Sequence, residues 1–274
     1  LTEKDLYHIG ELTSAPIFFY MADFGPLTGG CHYSWDCKGY ENQCGNCPGI
    51  YSNKANDLTH QNFMLKKKYI EKTNITPVVA SSWQFKKLLE SNLYADKPKY
   101  NILLPINENL FIPIDKLSAR KSLGLPIGKN IIYSGSTYVL EERKGYKQFA
   151  KALNYLYENN PKEFNDNIHV LYSGNTGEDF ISGIPYSNTI LPYVDYNELY
   201  MIYNAIDIFA STSLQDAGPT MINQSMMCGT PVVSFKMGVA LDLIDEGVTG
   251  YLADMLDFKS LANGIKSYFM LNEK

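Results

Sequence analysis

Much is missing from this sequence, and each absence narrows what the chain can be. Its longest apolar run, Ala15 to Ala22, falls far short of the roughly 20 residues that cross a bilayer. No charged segment followed by a greasy stretch opens the chain, so no signal peptide is visible. No G-x-G-x-x-G follows an apolar run and no G-x-x-x-x-G-K-[ST] occurs anywhere, which leaves NAD and P-loop nucleotide binding unsupported. Basic excess is absent as well. The 24 Lys and Arg are outnumbered by 29 Asp and Glu, and a net charge of -5 lacks the basic face of a nucleic-acid binder. Histidine is scarce: of 4 in all, only His169 lies in the second half. Internal repeats and low-complexity segments are also lacking.

What is present suits a folded enzyme-sized protein. The 274 residues are 45% hydrophobic and 19% charged, enough apolar surface for a core without disulfide staples. At about 150 residues per domain the length suggests one and a half to two domains. The chain reads as a cytoplasmic protein. It opens on Leu1 with a helical pattern almost at once, which suggests a fragment or a trimmed chain.

Short apolar or β-branched runs alternate with longer amphipathic stretches. The strands predicted are Pro16–Met21, Ile75–Ala80, Tyr100–Leu104, Asn130–Ser134, Ile168–Ser173, Asn188–Leu191, Ile206–Ser211 and Pro231–Phe235. The helices predicted are Thr59–Lys72, Ser82–Ser91, Lys144–Tyr157, Tyr196–Asn204, Pro219–Met227 and Phe258–Met270. This alternation reads as α/β with parallel sheets and helices on both faces. Pro105, Asn107, Pro113 and Pro126 cluster where a boundary is expected. Residues 1–104 read as the back part of one Rossmann-like domain, the first being incomplete. Residues 105–274 read as a second, nearly complete one. Lys66, Lys67 and Lys68 form a short basic run on a predicted helix; a solvated face and contact with an anionic membrane surface are its two readings.

Three motifs could carry chemistry. The first is a loop over 22–53 holding Cys31-His32, Cys37 and Cys44-Gly45-Asn46-Cys47-Pro48, four of the 5 cysteines. A reducing compartment disfavours disulfides. Two thiolates two residues apart can reach one tetrahedral ion, so Cys31, Cys37, Cys44 and Cys47 could form a closed structural zinc site, with His32 able to replace one ligand. Four packed thiols and an iron–sulfur cluster are the other readings. Cys228 stands apart and reads as core.

The second motif is Gly135-Ser136 after a strand, followed by Arg143-Lys144-Gly145 at a helix start. Free amides, the helix dipole and two cations suit a diphosphate there, and a solvated cap is the bland reading. The third runs from Ser213 to Pro231. Pro219 fits the first helical position and Gly229 the end. Asp216 falls just outside the helix N-terminus. Thr220 and Gln224, four apart, share a face with Asn223 close by. A strand-end pocket with one carboxylate and several amides is one reading, and an N-capped packing helix the other.

Taken together and in order, Leu27-Thr28-Gly29-Gly30-Cys31-His32-Tyr33 with the cysteine cluster, Arg143-Lys144-Gly145 and the Asp216-to-Pro231 stretch resemble the retaining glycosyltransferases of the GT-B fold, family 4. The subgroup resembled is bacterial, with a cysteine-rich loop, associated with capsule, exopolysaccharide or lipopolysaccharide assembly. Tyr200 to Asp207, Pro231-Val232-Val233 and Gly247 to Tyr251 are similar to further family signatures.

The resemblance implies two Rossmann-like domains and a nucleotide-sugar donor held mainly by the second. Arg143 and Lys144 would grip the diphosphate. Asp216 stands where the family has the first Glu of its E-x7-E motif, holding the donor sugar, and Gln224 stands where the second binds ribose. Gly218, Pro219 and Thr220 would contribute main-chain contacts, with Gly135 and Ser136 beside the phosphates and Tyr193 beside the nucleobase. Catalysis would need no metal. The acceptor would be a glycan or lipid-linked, with peripheral contact at the inner membrane face. The usual N-terminal part, with its glycine loop, would precede Leu1. Three departures stand out: Gln224 replaces a Glu, Ser136 replaces an Arg, and Ala22-Asp23 replaces a His-Asp pair. They leave a catalytically impaired relative, acting as a binding or partner subunit, as the alternative. A sugar-nucleotide epimerase would need acid/base carboxylates and histidines that the second half does not offer.

Overall fold

The structure is a computed structural model and describes residues 1–138, 141–175 and 183–271. The chain forms two compact units: Leu1–Leu104 with Gln215–Gly218, and Pro105–Leu214 with Pro219–Lys274. Gln215–Gly218 thus goes with the first unit, although chain order places it among residues of the second.

The first unit is a parallel sheet with helices against it. Strands β1 (Ile17–Tyr20), β2 (Ile75–Val79) and β3 (Tyr100–Asn101) lie in the order β1-β2-β3. Every residue of β2 is buried while β1 alternates, as a central and an edge strand should. Helix α1 (Glu3–Thr13) starts at a capping box, in which Thr2 and Asp5 satisfy each other's amides. Helices α2 (Leu58–Ile70) and α3 (Ser82–Glu90) supply Phe63, Ile70 and Leu88 to a core shared with Met21, Phe24 and Val79. The sequence predicts a full strand over Tyr100–Leu104, but only two residues pair. Ile102 donates the last amide bond, to Val79, and Pro105, lacking an N–H, follows soon after.

The second unit is a six-stranded parallel sheet. Its strands are β4 (Asn130–Tyr138), β5 (Ile168–Asn175), β6 (Ser187–Leu191), β7 (Ile208–Ser211), β8 (Val232–Phe235) and β9 (Gly250–Ala253), in the order β6-β5-β4-β7-β8-β9. That order is the doubly wound one. Helices α4 (Lys116–Ser122), α5 (Tyr146–Glu158), α6 (Lys162–Asp166), α7 (Leu199–Ala205), α8 (Thr220–Met227), α9 (Ala240–Leu243) and α10 (Phe258–Leu271) accompany it. Alternate residues of β4 feed two cores. Ile132 joins Phe149 and Leu153 of α5 and Leu261 and Ile265 of α10, whereas Ile131 and Tyr133 join Ile202 of α7 and Ile222 of α8. Strand β9 escaped the sequence reading because it is short and opens on glycine; it is held by pairing with β8 from Val232↔Gly250 to Phe235↔Ala253. Helix α4 escaped because prolines dominate its surroundings, yet Asp115 caps it by accepting from the Ser118 amide at 2.7 Å.

One buried cation ties this unit together. Arg120 donates to the carbonyls of Ala205, Ile127 and Lys129, and its Nη2 meets Asp207 Oδ2 at 2.6 Å. The carboxylate of Asp207 also accepts from the Ile131 amide at 2.7 Å and from Lys116 Nζ at 2.8 Å. Among the described residues no helix is long and apolar enough to cross a membrane.

Candidate functional site

In a doubly wound sheet the strands on either side of the order reversal send their connections to opposite faces, opening a crevice at their carboxyl ends. Here that point lies where β4 and β7 pair, through Ile132↔Ile208 and Tyr133↔Phe209. The exit of β4 leads to a 3-10 turn, Glu142–Lys144, and the exit of β7 leads to Thr212–Leu214. The two exits are stitched together. The Leu214 amide donates to the Arg143 carbonyl at 2.6 Å, and Thr212 Oγ1 donates to the Lys144 carbonyl at 2.9 Å. Gly145 makes this approach feasible: its φ of +67 is left-handed, and a Cβ there would run into the Thr212 carbonyl. The turn carrying Arg143 and Lys144 is therefore fixed at the carboxyl edge of the sheet, just ahead of α5. Arg143 Nε also meets Glu141 Oε1 at 2.5 Å, a partner the sequence reading did not foresee.

Beside this edge lies a hollow of about 210 Å³ within the second unit, lined among others by Ser136, Gly174, Tyr193, Thr220 and Gln224. The shared helix face expected of Thr220 and Gln224 is thus observed. Gly135 lies under the hollow, where a side chain would strike the Tyr133 hydroxyl and Ser173 Oγ. Tyr133 and Ser173 share a hydrogen bond of 2.6 Å. Burial pushes the Tyr133 phenol up to about 12, so it stays protonated. Tyr203, whose phenol burial also raises, donates to Gln224 Oε1 at 3.0 Å. Nothing among the described residues accepts from Gln224 Nε2, and Gln224 lines the hollow. Pro219 is the residue before α8 rather than its first, and Thr220 begins the helix. Gly229 follows α8 with a φ of +78, the position expected of it. Arg143 and Lys144 are not among the residues lining the hollow.

Asp216 and Gly218 belong to the first unit. There the Ala217 carbonyl accepts from Ser81 Oγ at 2.6 Å, the Ala217 side chain is buried in the core, and Gly218 lies against Ala80. Nothing in the motif itself signals that four residues after β7 pack with the other unit.

The 22–53 loop of the first unit is irregular, broken by 3-10 turns at Gly25–Leu27, Gly39–Glu41 and Pro48–Ile50. Cys31, Cys37, Cys44 and Cys47 are free thiols, and Cys228 is a free thiol buried in the second unit's core, pushed up to about 12 by that burial. Among the described residues no group of three or more His, Cys, Asp or Glu side chains is already gathered to hold a metal ion. His32 is turned elsewhere: its Nδ1 lies 2.6 Å from Asp23 Oδ2, and Asp23 Oδ1 accepts from the Gly25 amide at 2.7 Å. No spacing rule could have matched Asp23 with a histidine nine residues on. Nor does the lysine run form one solvated face. Lys66 Nζ donates to the carbonyls of Gly25 and Thr28, Lys67 Nζ donates to Asn92 Oδ1, and Lys68 lies over the Tyr69 ring.

Comparison with known proteins bears on this geometry. Residues 115–274 match the family model described as "Glycosyl transferases group 1". A D-inositol 3-phosphate glycosyltransferase of Mycobacterium sp. (strain KMS) is 26% identical over 187 residues, which cover 63% of this chain and 40% of that protein. The enzyme of the same name from Arthrobacter sp. (strain FB24) is 25% identical over 175 residues, covering 61% and 41%. The match thus spans about two-fifths of the length of these curated relatives. Among solved structures, Anabaena Alr3699/HepE in complex with UDP has a TM-score of 0.72 at 18% identity, covering 99% of this chain and 68% of that one. Sucrose-phosphate synthase from Thermosynechococcus elongatus has a TM-score of 0.63 at 20% identity, covering 77% and 52%. These likenesses establish a GT-B fold.

Proposed function

The chain belongs to the group 1 glycosyl transferases, and from that premise we propose that it moves a sugar from a nucleotide-diphosphate donor to a glycan or lipid-linked acceptor, with retention, in bacterial surface polysaccharide synthesis. The observation that carries this reading is the hollow at the carboxyl edge of the second unit's sheet. Tyr193 offers an aromatic face to a base, Gln224 Nε2 an amide donor to a ribose hydroxyl, and Ser136 and Gly174 a narrow strand-end floor. The Glu142–Lys144 turn, held at the same carboxyl edge, brings two cations for the diphosphate. The solved relative that holds UDP, Anabaena Alr3699/HepE, lends support as an analogy of fold.

In this reading the protein supplies charge and position rather than a nucleophile. As the glycosidic bond to the diphosphate breaks, negative charge builds on the leaving phosphate. Arg143 and Lys144 stabilise that charge. The leaving phosphate oxygen takes the proton of the acceptor hydroxyl, which attacks from the same side, and no metal takes part. The acceptor is met on the cytoplasmic side, with peripheral membrane contact.

Ala22 and Gln224 favour a second reading, a catalytically impaired relative that binds donor or partner without turnover. Calorimetry with UDP, GDP and ADP tests the shared part: one of them binds, and binding weakens in Lys144→Ala. Failure of all three to bind sinks the transferase reading and the donor-binding form of the second. Donor turnover by the full-length protein separates them, because only the transferase consumes a sugar nucleotide.

A further inference from the structure

The first unit holds a feature that the sugar-transfer reading does not use. Residues 22–53 form a long connection that lies outside the sheet. Loops of this length inside a compact unit need an internal staple or a functional reason to stay ordered. Four of the chain's five cysteines fall in it.

The backbone is arranged around their sulfurs. The Gly29 amide donates to Cys44 Sγ at 3.3 Å, and the Gly39 amide donates to Cys37 Sγ at 3.5 Å. A neutral thiol is a poor acceptor, whereas a thiolate is a good one, so these donors suit sulfur in its anionic form. Gly39 presents a bare α-carbon to two cysteines at once: a Cβ there would lie 3.6 Å from Cys37 Sγ and 3.9 Å from Cys44 Sγ. The other two are also neighbours, close enough that the Cys47 thiol bears on the charge of Cys31. Cys44 in turn interacts electrostatically with Cys31, Cys37 and Cys47, so the two pairs form one cluster.

The turn between Cys44 and Cys47 is left-handed at three successive residues, with φ of 56 at Cys44, 93 at Gly45 and 49 at Asn46. Its amides are already engaged: that of Gly45 donates to Thr59 Oγ1 at 3.2 Å and that of Asn46 to the Lys54 carbonyl at 2.9 Å. It is anchored from outside: the Cys47 amide donates to Asp57 at 3.0 Å, and the same carboxylate caps α2 through the amides of Thr59 and His60. Lys66 bridges the carbonyls of Gly25 and Thr28, which puts a cation beside the loop.

We propose that Cys31, Cys37, Cys44 and Cys47 close on one structural Zn2+ ion. Four S–H bonds break, four protons leave to solvent, and four Zn–S bonds of about 2.3 Å form, with no oxidant or reductant needed. As thiols the four are not yet gathered around a single centre. Binding draws the four sulfurs together. The resulting doubly negative centre is offset by the Gly29 and Gly39 amides and by Lys66. His32 stays outside the site, committed to Asp23. With four protein ligands the ion has no open position, so it orders the loop and takes no part in chemistry. The zinc site stands independently of the donor site.

The test is metal content of the intact chain, purified without chelator from zinc-supplied cells and read by elemental analysis. One zinc per chain is expected, released stoichiometrically when the thiols are titrated with an organomercurial. Exchange with Co2+ is expected to give the intense visible bands of tetrahedral thiolate cobalt, without the imidazole component that His32 ligation would add. Cys44→Ser should lose at least tenfold in zinc affinity, judged by competition with a chromophoric chelator. Cys228→Ser, altered in the other unit, should keep the full complement. The proposal is overturned by zinc well below one per chain with all thiols reacting rapidly with Ellman's reagent. It is equally overturned by a mass deficit of two hydrogens per disulfide, or by an iron–sulfur chromophore.

Discussion

The Tyr203 hydroxyl donates to the side-chain carbonyl of Gln224 at 3.0 Å, and that bond fixes which end of the amide faces the hollow. Gln224 is 2% exposed and Tyr203 is fully buried, so neither can turn to water for a substitute. Gln224→Ala leaves the Tyr203 hydroxyl without an acceptor, a loss of about 1–3 kcal/mol of stability. Gln224→Glu keeps an acceptor for Tyr203 and presents a carboxylate to the hollow. Nucleoside diphosphate binding is therefore expected to hold or tighten in Gln224→Glu and to weaken in Gln224→Ala. Calorimetry on both variants checks this, with thermal unfolding alongside. A large loss of affinity in Gln224→Glu would show that the residue does not face the ribose.

The diphosphate clamp makes a second expectation. Lys144→Ala removes a full charge from the turn at the sheet edge and should weaken binding by about 2 kcal/mol or more. Gly145→Ala leaves both cations in place but forces a Cβ toward the Thr212 carbonyl from a left-handed backbone. It should shift the turn and reduce binding while also lowering the unfolding temperature. Equal binding by the wild type and both variants would mean that the turn does not touch the phosphates.

These two cases show what could be read from the sequence. Thr220 and Gln224 could be placed on one face because helix periodicity is local, and Gly229 could be placed after the helix because only its backbone freedom fits there. Tyr203 could not be matched to Gln224, nor Thr212 to Lys144, because the first pairing is set by how two helices pack together and the second by which strand ends meet in the sheet. The membership of Asp216 in the first unit was equally hidden. It depends on Ser81 holding the Ala217 carbonyl, a contact across 136 positions of chain. Strand β9 was lost for the opposite reason: it is short and bounded by Gly250 and Ala253, both poor strand formers, and neighbouring β8 imposes the conformation.

The buried Arg120–Asp207 pair leads to a stability expectation. Arg120 satisfies three carbonyls besides the carboxylate, so Arg120→Ala strands several buried acceptors and one charge at once. Breaking one side of such a pair costs about 3–5 kcal/mol. A chemical denaturation midpoint lowered accordingly, with an unchanged slope, is the expected outcome. A shift of a few tenths of a kcal/mol would show that water takes over the broken contacts.

His169 gives the chain a specific acid sensitivity. Its ring is buried on β5, with Nδ1 3.0 Å from Ser187 Oγ and Nε2 2.9 Å from Thr189 Oγ1. A neutral imidazole can donate to one hydroxyl and accept from the other, so the site is built for the uncharged ring. Burial, aided by the positive charges of Lys129 and Arg120, holds its pKa below the ordinary imidazole value. The unfolded chain therefore takes up this proton at higher pH than the folded one. The contribution to stability is complete above about pH 6.5 and is lost progressively as pH falls below it, down to the depressed folded value. His169→Gln, which does not titrate but can still donate and accept, should flatten that decline. Urea midpoints compared at about pH 7.5 and about pH 5.5 measure the effect as a difference of differences. The wild type should lose more stability between the two than the variant. Parallel losses in both would show that His169 does not carry the acid sensitivity.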